Sequence, residues 1–459
     1  MRDIATFIAL NRFGLGASPG EAERVYGDPR GWILSQINPS QALPTSLSAF
    51  SASSDILAEI HAARMESPER VREVIRRLYR DDFRRETFAR AVHMIKSELP
   101  FAERMVLFWS NHFTVSRTKW IIGPAIPAYE REAIRPHIFG NFADMLKAVC
   151  RHPTMITYLD NHMSMGANSR AGRYRRRRRG NKTTLNENLA REVMELHTLG
   201  VNGGYTQQDV TELAKVMSGW SHGGVRFRKR QAGPAREPVH GGFEYRAAFH
   251  EPGSKTIMGD TYHEDGENEG FRVLDNLVRH PATANFIGTK LVRHFVADNP
   301  PLGAVDKIAG VFKETEGDLA AVSRALVNLP EVWLEPLPKV KSAYELVIST
   351  HRAAGRVRPN WKSLIQPLQE LGQLPFSAPS PQGWGDEAKD WIAPEALMRR
   401  IEWLRRFAGR VPSTMVPSEV MDSTIGPVSS EATQYWVSRA TSGDAALATV
   451  FVSPEFQRR

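Results

Sequence analysis

Apolar positions recur three and four residues apart over most of the chain, the period of helices that bury one face. Residues 69–97 carry Val71, Val74, Leu78, Ala91 and Ile95 at such steps among dense Arg and Glu, behind a Ser67 cap and a first-turn Pro68. Pro100 opens another helix, whose stripe runs Phe101, Met105, Phe108, His112. Asn141 caps a helix through Val149, and Pro153 opens a short one ending near Asp160. Thr206 with Asp209, and Ser342 with Glu345, have capping-box spacing. Further helical periods cover 270–296, 303–315, 317–328, 394–408 and 431–448, while 357–391 is Pro-, Gly- and Trp-rich connecting structure. RHPTMITYL at 151 and RHPATANFI at 279 echo each other as helices opened by proline. Only 221–262 changes texture, with Gly-rich segments around VRFRKR and GFEYRAAFH that predict a small β-hairpin insert. The pattern predicts a mainly α fold, one large helical body over 1–459 carrying that insert.

Polar residues that interrupt an apolar stripe are the places to look for chemistry, because a buried charge must be paired, protonated or metal-bound. On a helix through Leu185–Leu199, at ~100° per residue, Leu185, Leu189, Leu196 and Leu199 form one stripe with Glu192 in its middle. Asn188 and Glu195 flank Glu192. His112 is the second such residue. If the two helices pack, His112 and Glu192 meet in the core as a carboxylate-oriented general base. Against that stand a structural ion pair for Glu192 and, for His112, a helix-end histidine donating to a carbonyl. Trp109 and Asn111 beside His112 offer a stacking face and an amide to a substrate. Glu192 and Glu195, with Asp160 or His112, also offer oxygen and nitrogen ligands to a divalent metal, although Glu195 and His197 lack the spacing of a di-metal helix motif.

Other motifs subtract. No GxSxG elbow occurs, and GSKT at 253–256 is not a phosphate-binding loop; His250, Lys255 and Thr256 remain candidates to line a site, on what reads as a polar loop. Cys150, the one cysteine, excludes an internal disulfide and sits at a core position.

With 41% hydrophobic and 24% charged residues the chain can bury a large core. Its 60 Lys and Arg against 51 Asp and Glu leave +9, a bias toward anionic partners. Much of the excess lies in GRYRRRRRGNK, expected to be part of a solvated, mobile loop over 164–184, with contact to a polyanion as the alternative reading. No helix-turn-helix, zinc-finger or basic-zipper pattern accompanies it, so no specific nucleic-acid reading is expected. No apolar run of about 18 residues and no export signal is present, which predicts no membrane span and a cytoplasmic chain.

Several segments carry a resemblance: WSNHF at 109–113, YLDN at 158–161, LNENLAREVMELHTLGV at 185–201, GGYTQQDVTELAKVMSGW at 203–220, HEPGSKTIMG at 250–259, RHPATANFIGTKLVRHF at 279–295 and SPQGWGD at 380–386. Together they resemble the bacterial family catalogued as domain of unknown function 1800. The resemblance implies a mainly helical single unit and frequent genomic company with a sulfatase-like, exported family. It brings no established activity, and exported relatives make the periplasm the alternative location. Two functions are therefore expected. One is an enzyme on an anionic substrate such as a polysaccharide or sulfated polymer, with Glu192, Glu195 and His112 as its chemical core, Asn188 and Asp160 positioning, and Arg191 binding the anion. The other is a non-catalytic accessory or binding protein for the sulfatase-like neighbour.

Overall fold

The computed structural model describes residues 3–40, 43–179, 185–224, 241–355 and 359–459. Helices dominate, as the three- and four-residue period predicts, and one cluster of buried apolar side chains draws members from Phe7 to Phe456. A smaller cluster, built on Ile56, Ile60, Val74 and Leu78, joins the Ser53–Glu66 and Pro68–Leu78 helices.

Local chemistry fixes most helix starts. Thr206 and Ser342 each form the complete reciprocal box with Asp209 and Glu345. Ser67 and Asn141 cap Pro68–Leu78 and Phe142–Arg151. The two echoing RHP segments share a device: His152 and His280 are N-caps whose side chains accept from the amides of Thr154 and Ala282, each followed by proline in the first turn. That proline has no N–H to leave unsatisfied.

Among the described residues the small β insert consists of two antiparallel strand pairs. Trp220–His222 pairs with Phe243–Tyr245, and Lys255–Ile257 with Asp260–Tyr262. VRFRKR lies outside the described residues. Lys255 is not on a polar loop; its strand buries it, and its ammonium meets Glu269 at 3.0 Å while His250 meets the same carboxylate oxygen at 3.1 Å. Thr256, on the opposite face of the strand, is exposed.

The arginine run differs from expectation as well. Arg170–Arg179 is helical, begun where Ser169 Oγ accepts the Gly172 amide and where Ala171 donates to the Ala248 carbonyl. Arginine is a strong helix former, and its long side chains reach water from a helix as readily as from a loop. Residues 180–184 lie outside the described residues. No described helix is long and apolar enough to cross a membrane.

Candidate active site

The helix expected over Leu185–Leu199 forms only in part. An α-helix spans Asn188–Glu192 and continues as a π-turn over Val193–His197, where Thr198 Oγ1 donates to the Val193 carbonyl at 2.7 Å. The buried stripe is Leu189, Ala190, Val193, Met194 and His197, not the leucines alone. Val193 and Met194 take the core-facing positions, so Glu192 turns to the margin and is half-buried. There burial, and next the neighbouring Glu195, push its carboxyl up to about 7, against Arg191. No described residue hydrogen-bonds or ion-pairs with Glu192. The carboxyl is shifted as its half-buried place dictates, and His112, the partner expected for it, lies elsewhere.

The other residues expected around Glu192 disperse. Glu195 faces Tyr205. Asn188 is exposed, Arg191 pairs with Glu187 at 3.2 Å and Gln207 at 2.9 Å, and Asp160 sits in a left-handed turn, paired with Lys119 at 2.6 Å. Trp109 is 0% exposed and so cannot stack on a substrate; it packs edge-on against His112, with ring centres 5.4 Å apart. Among the described residues no three His, Cys, Asp or Glu side chains converge as a metal site requires.

His112 goes elsewhere. It is the last residue of the Pro100–His112 helix, buried, and its Nε2–H donates to the His197 carbonyl at 3.1 Å, the helix-end alternative. That bond leaves Nδ1 as an acceptor, and Lys290 Nζ donates to it at 3.0 Å. Burial first and Lys290 second hold the His112 imidazole well below its ordinary value, so it is neutral.

Lys290 arrives by helical spacing. In Pro281–Phe295, Thr283, Ile287 and Leu291 are buried; Lys290 and His294, four apart, emerge together beside that stripe. Lys290 is half-buried, with no carboxylate in ion-pair reach among the described residues. Burial holds it down at about 8, with Asp386 opposing and Arg293 adding to the effect. His294 Nδ1 meets Asp386 Oδ2 at 2.8 Å, and burial keeps this imidazole down at about 4 despite the carboxylate.

These groups line one cavity of about 520 Å³, within the range of small-molecule sites. Its floor is a charge network. Glu345 Oε2 accepts the Ser342 amide in the capping box, while Oε1 pairs with Arg104 and, at 2.9 Å, with Arg459. The guanidinium of Arg459 also reaches Asp386 at 3.5 Å. The cover is the segment SPQGWGD. Asn111 clamps it with both amide atoms, donating to the Trp384 carbonyl at 2.9 Å and accepting its N–H at 2.8 Å, so this side chain binds protein rather than substrate. Gly383 is needed there: its φ is +86°, and a Cβ would lie 2.5 Å from the Asn111 carbonyl oxygen.

Five cationic side chains (Arg90, Arg104, Lys290, Arg293, Lys389) and four carboxylates (Glu345, Asp386, Glu387, Asp390) line the cavity. Arg90 is held by Glu130 at 2.6 Å and Lys389 by Glu387 at 2.6 Å. Among the described residues Lys290 is the lining cation with no carboxylate in ion-pair reach, which is where an incoming anion or a reacting group would be felt. His112 stands out in the sequence, whereas Lys290, His294 and Asp386, which line the same cavity, do not. A signal was present: TKLVRHF places a lysine and a histidine four apart beside an apolar stripe.

The model of the family described as Protein of unknown function (DUF1800) matches residues 8–458. No curated protein and no solved structure matches the chain.

Proposed function

We propose that this chain, which belongs to the Protein of unknown function (DUF1800) family, is an enzyme that performs proton-transfer chemistry on an anionic substrate in the cavity beside His112. The observation that carries this reading is the 3.0 Å contact between Lys290 and an imidazole whose other nitrogen is committed to a carbonyl. A lysine near 8 exchanges its proton at ordinary pH, as an acid or base must. His112 orients that amine: with Nε2 committed to the carbonyl, its Nδ1 can only accept the Lys290 hydrogen bond. The uncompensated ammonium favours a substrate bearing negative charge, with a sulfated or carboxylated sugar among the candidates.

The reading is tested with a panel of sulfate, phosphate and carboxylate esters and uronic glycosides. Turnover of at least one is expected, falling about 10²–10⁴-fold in Lys290→Met with the circular dichroism spectrum unchanged. Turnover unaffected by that substitution would sink it. The accessory-protein reading has one observation in its favour: Tyr435 and Trp436, packed edge-on, are 51% and 62% exposed, as a partner-binding anchor would be.

A further inference from the structure

The geometry points to Lys290 as an amine nucleophile that forms an imine with an anionic aldehyde or ketone held in the cavity. This deepens the proposed function by naming a substrate class and rests on the same site. Three features separate Lys290 from an ordinary lysine. Its Nζ reaches the wall of a cavity large enough for a small substrate. Its one described polar partner is a neutral nitrogen acceptor, so nothing anionic has to be displaced before the lone pair is exposed. Its Nζ lies over the Phe286 ring, 5.5 Å from the ring centre, which limits the directions the amine can take. A lysine that burial holds near 8 keeps a usable neutral fraction at physiological pH.

The step balances without a further reagent. The neutral Lys290 nitrogen attacks the carbonyl carbon, forming a C–N bond as the C=O π pair moves onto oxygen, and one N–H proton is relayed through His112 Nδ1 to that oxygen, giving the neutral carbinolamine. The second N–H proton follows the same path as the C–O bond breaks, so the oxygen leaves as water and C=N remains. His112 is suited to both transfers because its Nε2–H is held by the His197 carbonyl throughout. The cationic lining holds the acid group of the substrate, with Arg293 at the rim contacting Glu387 at only 3.8 Å.

Lys389 supplies an internal control. It lines the same cavity, but its side chain is 76% exposed and tied to Glu387. The full chain is incubated with glyoxylate and cyanoborohydride at pH 7.5, and carboxymethylation of each lysine is followed by peptide mass mapping. Lys290 is expected to be modified about 10-fold faster than Lys389. In Lys290→Arg, which keeps the charge, the fast phase should vanish while Lys389 is labelled as before. Equal labelling of the two lysines, or an unlabelled Lys290 in the folded protein, overturns the imine proposal. The outcome is independent of the ester panel: loss of turnover in Lys290→Met with no trapping at Lys290 would leave the proton-transfer reading standing alone.

Discussion

The cavity beside His112 and the face carrying Glu192 both hold a group driven far from its ordinary ionisation, yet they differ in what surrounds it. Glu192 is perturbed by partial burial and by Glu195, with no hydrogen-bonding partner among the described residues. Lys290 is perturbed by burial too, but it is aimed at an oriented imidazole and opens into a volume a substrate can fill. A shifted group alone marks strain or solvation; a shifted group with a directed neighbour and an open approach marks chemistry.

The largest effect that bears on this contrast is at the cavity floor. Glu345→Ala leaves Arg104 and Arg459 buried without their carboxylate and should cost about 3–5 kcal/mol in denaturant unfolding. Glu192→Gln, which removes no contact, should stay within about 0.5 kcal/mol at pH 5. Similar costs for the two would erase the distinction.

Activity comes next. Glu192→Gln should leave turnover within about 2-fold, whereas Lys290→Met should lower it about 10²–10⁴-fold, as expected for loss of a proton-transfer group. The opposite ranking would return the chemistry to the Glu192 face.

pH separates the two by sign. Glu192 is raised from 4.5 to about 7, so its contribution to stability is full below about 4.5 and is lost as pH rises through 7. Lys290 is lowered from 10.5 to about 8, so its contribution is full above about 10.5 and is lost as pH falls through 8. Thermal unfolding from pH 4 to 10 should flatten in the lower half for Glu192→Gln and in the upper half for Lys290→Met, and matching profiles would show that neither group is perturbed. In activity the same lysine should give a rate that climbs across pH 8.

The smallest effect is expected far from both. Arg176 is exposed on the Arg170–Arg179 helix, and Arg176→Gln should shift stability by no more than about 0.5 kcal/mol, upward if repulsion with Arg173 matters. A larger loss would mean the run is held by contacts on the body.

Where structure is set within four residues, it was legible in the sequence. Thr206 with Asp209 and Ser342 with Glu345 are the observed boxes, and Pro100, Pro153 and Pro281 open the observed helices. Periodicity misled at Glu192 because it assumes unbroken α geometry. The helix starts late, at Asn188, where Asn186 Oδ1 accepts the Asn188 amide at 2.8 Å, and the π-turn from Val193 rotates the stripe, which a fixed period does not register. The cavity was illegible for a different reason. Lys290 lies 178 residues from His112, and Asp386 lies 92 from His294, so only tertiary packing pairs them. His112 was visible because it stands on a stripe; Asp386 lies in connecting structure, where no period points inward.

The ion pair between Arg352 and Glu21, at 2.8 Å and buried, joins residues 331 apart. The Arg104–Glu345 pair under the cavity spans 241. During synthesis at about 5–20 residues per second, Glu21 therefore waits roughly 15–70 s for its guanidinium to be made. Through that interval the Glu21 carboxylate lacks the guanidinium that lets it be buried, and apolar surface that the later helices cover stays open to other chains or to chaperones. The cavity is thus among the last parts of the molecule to exist, and any nascent chain stalled before Arg352 is an aggregation hazard with no site.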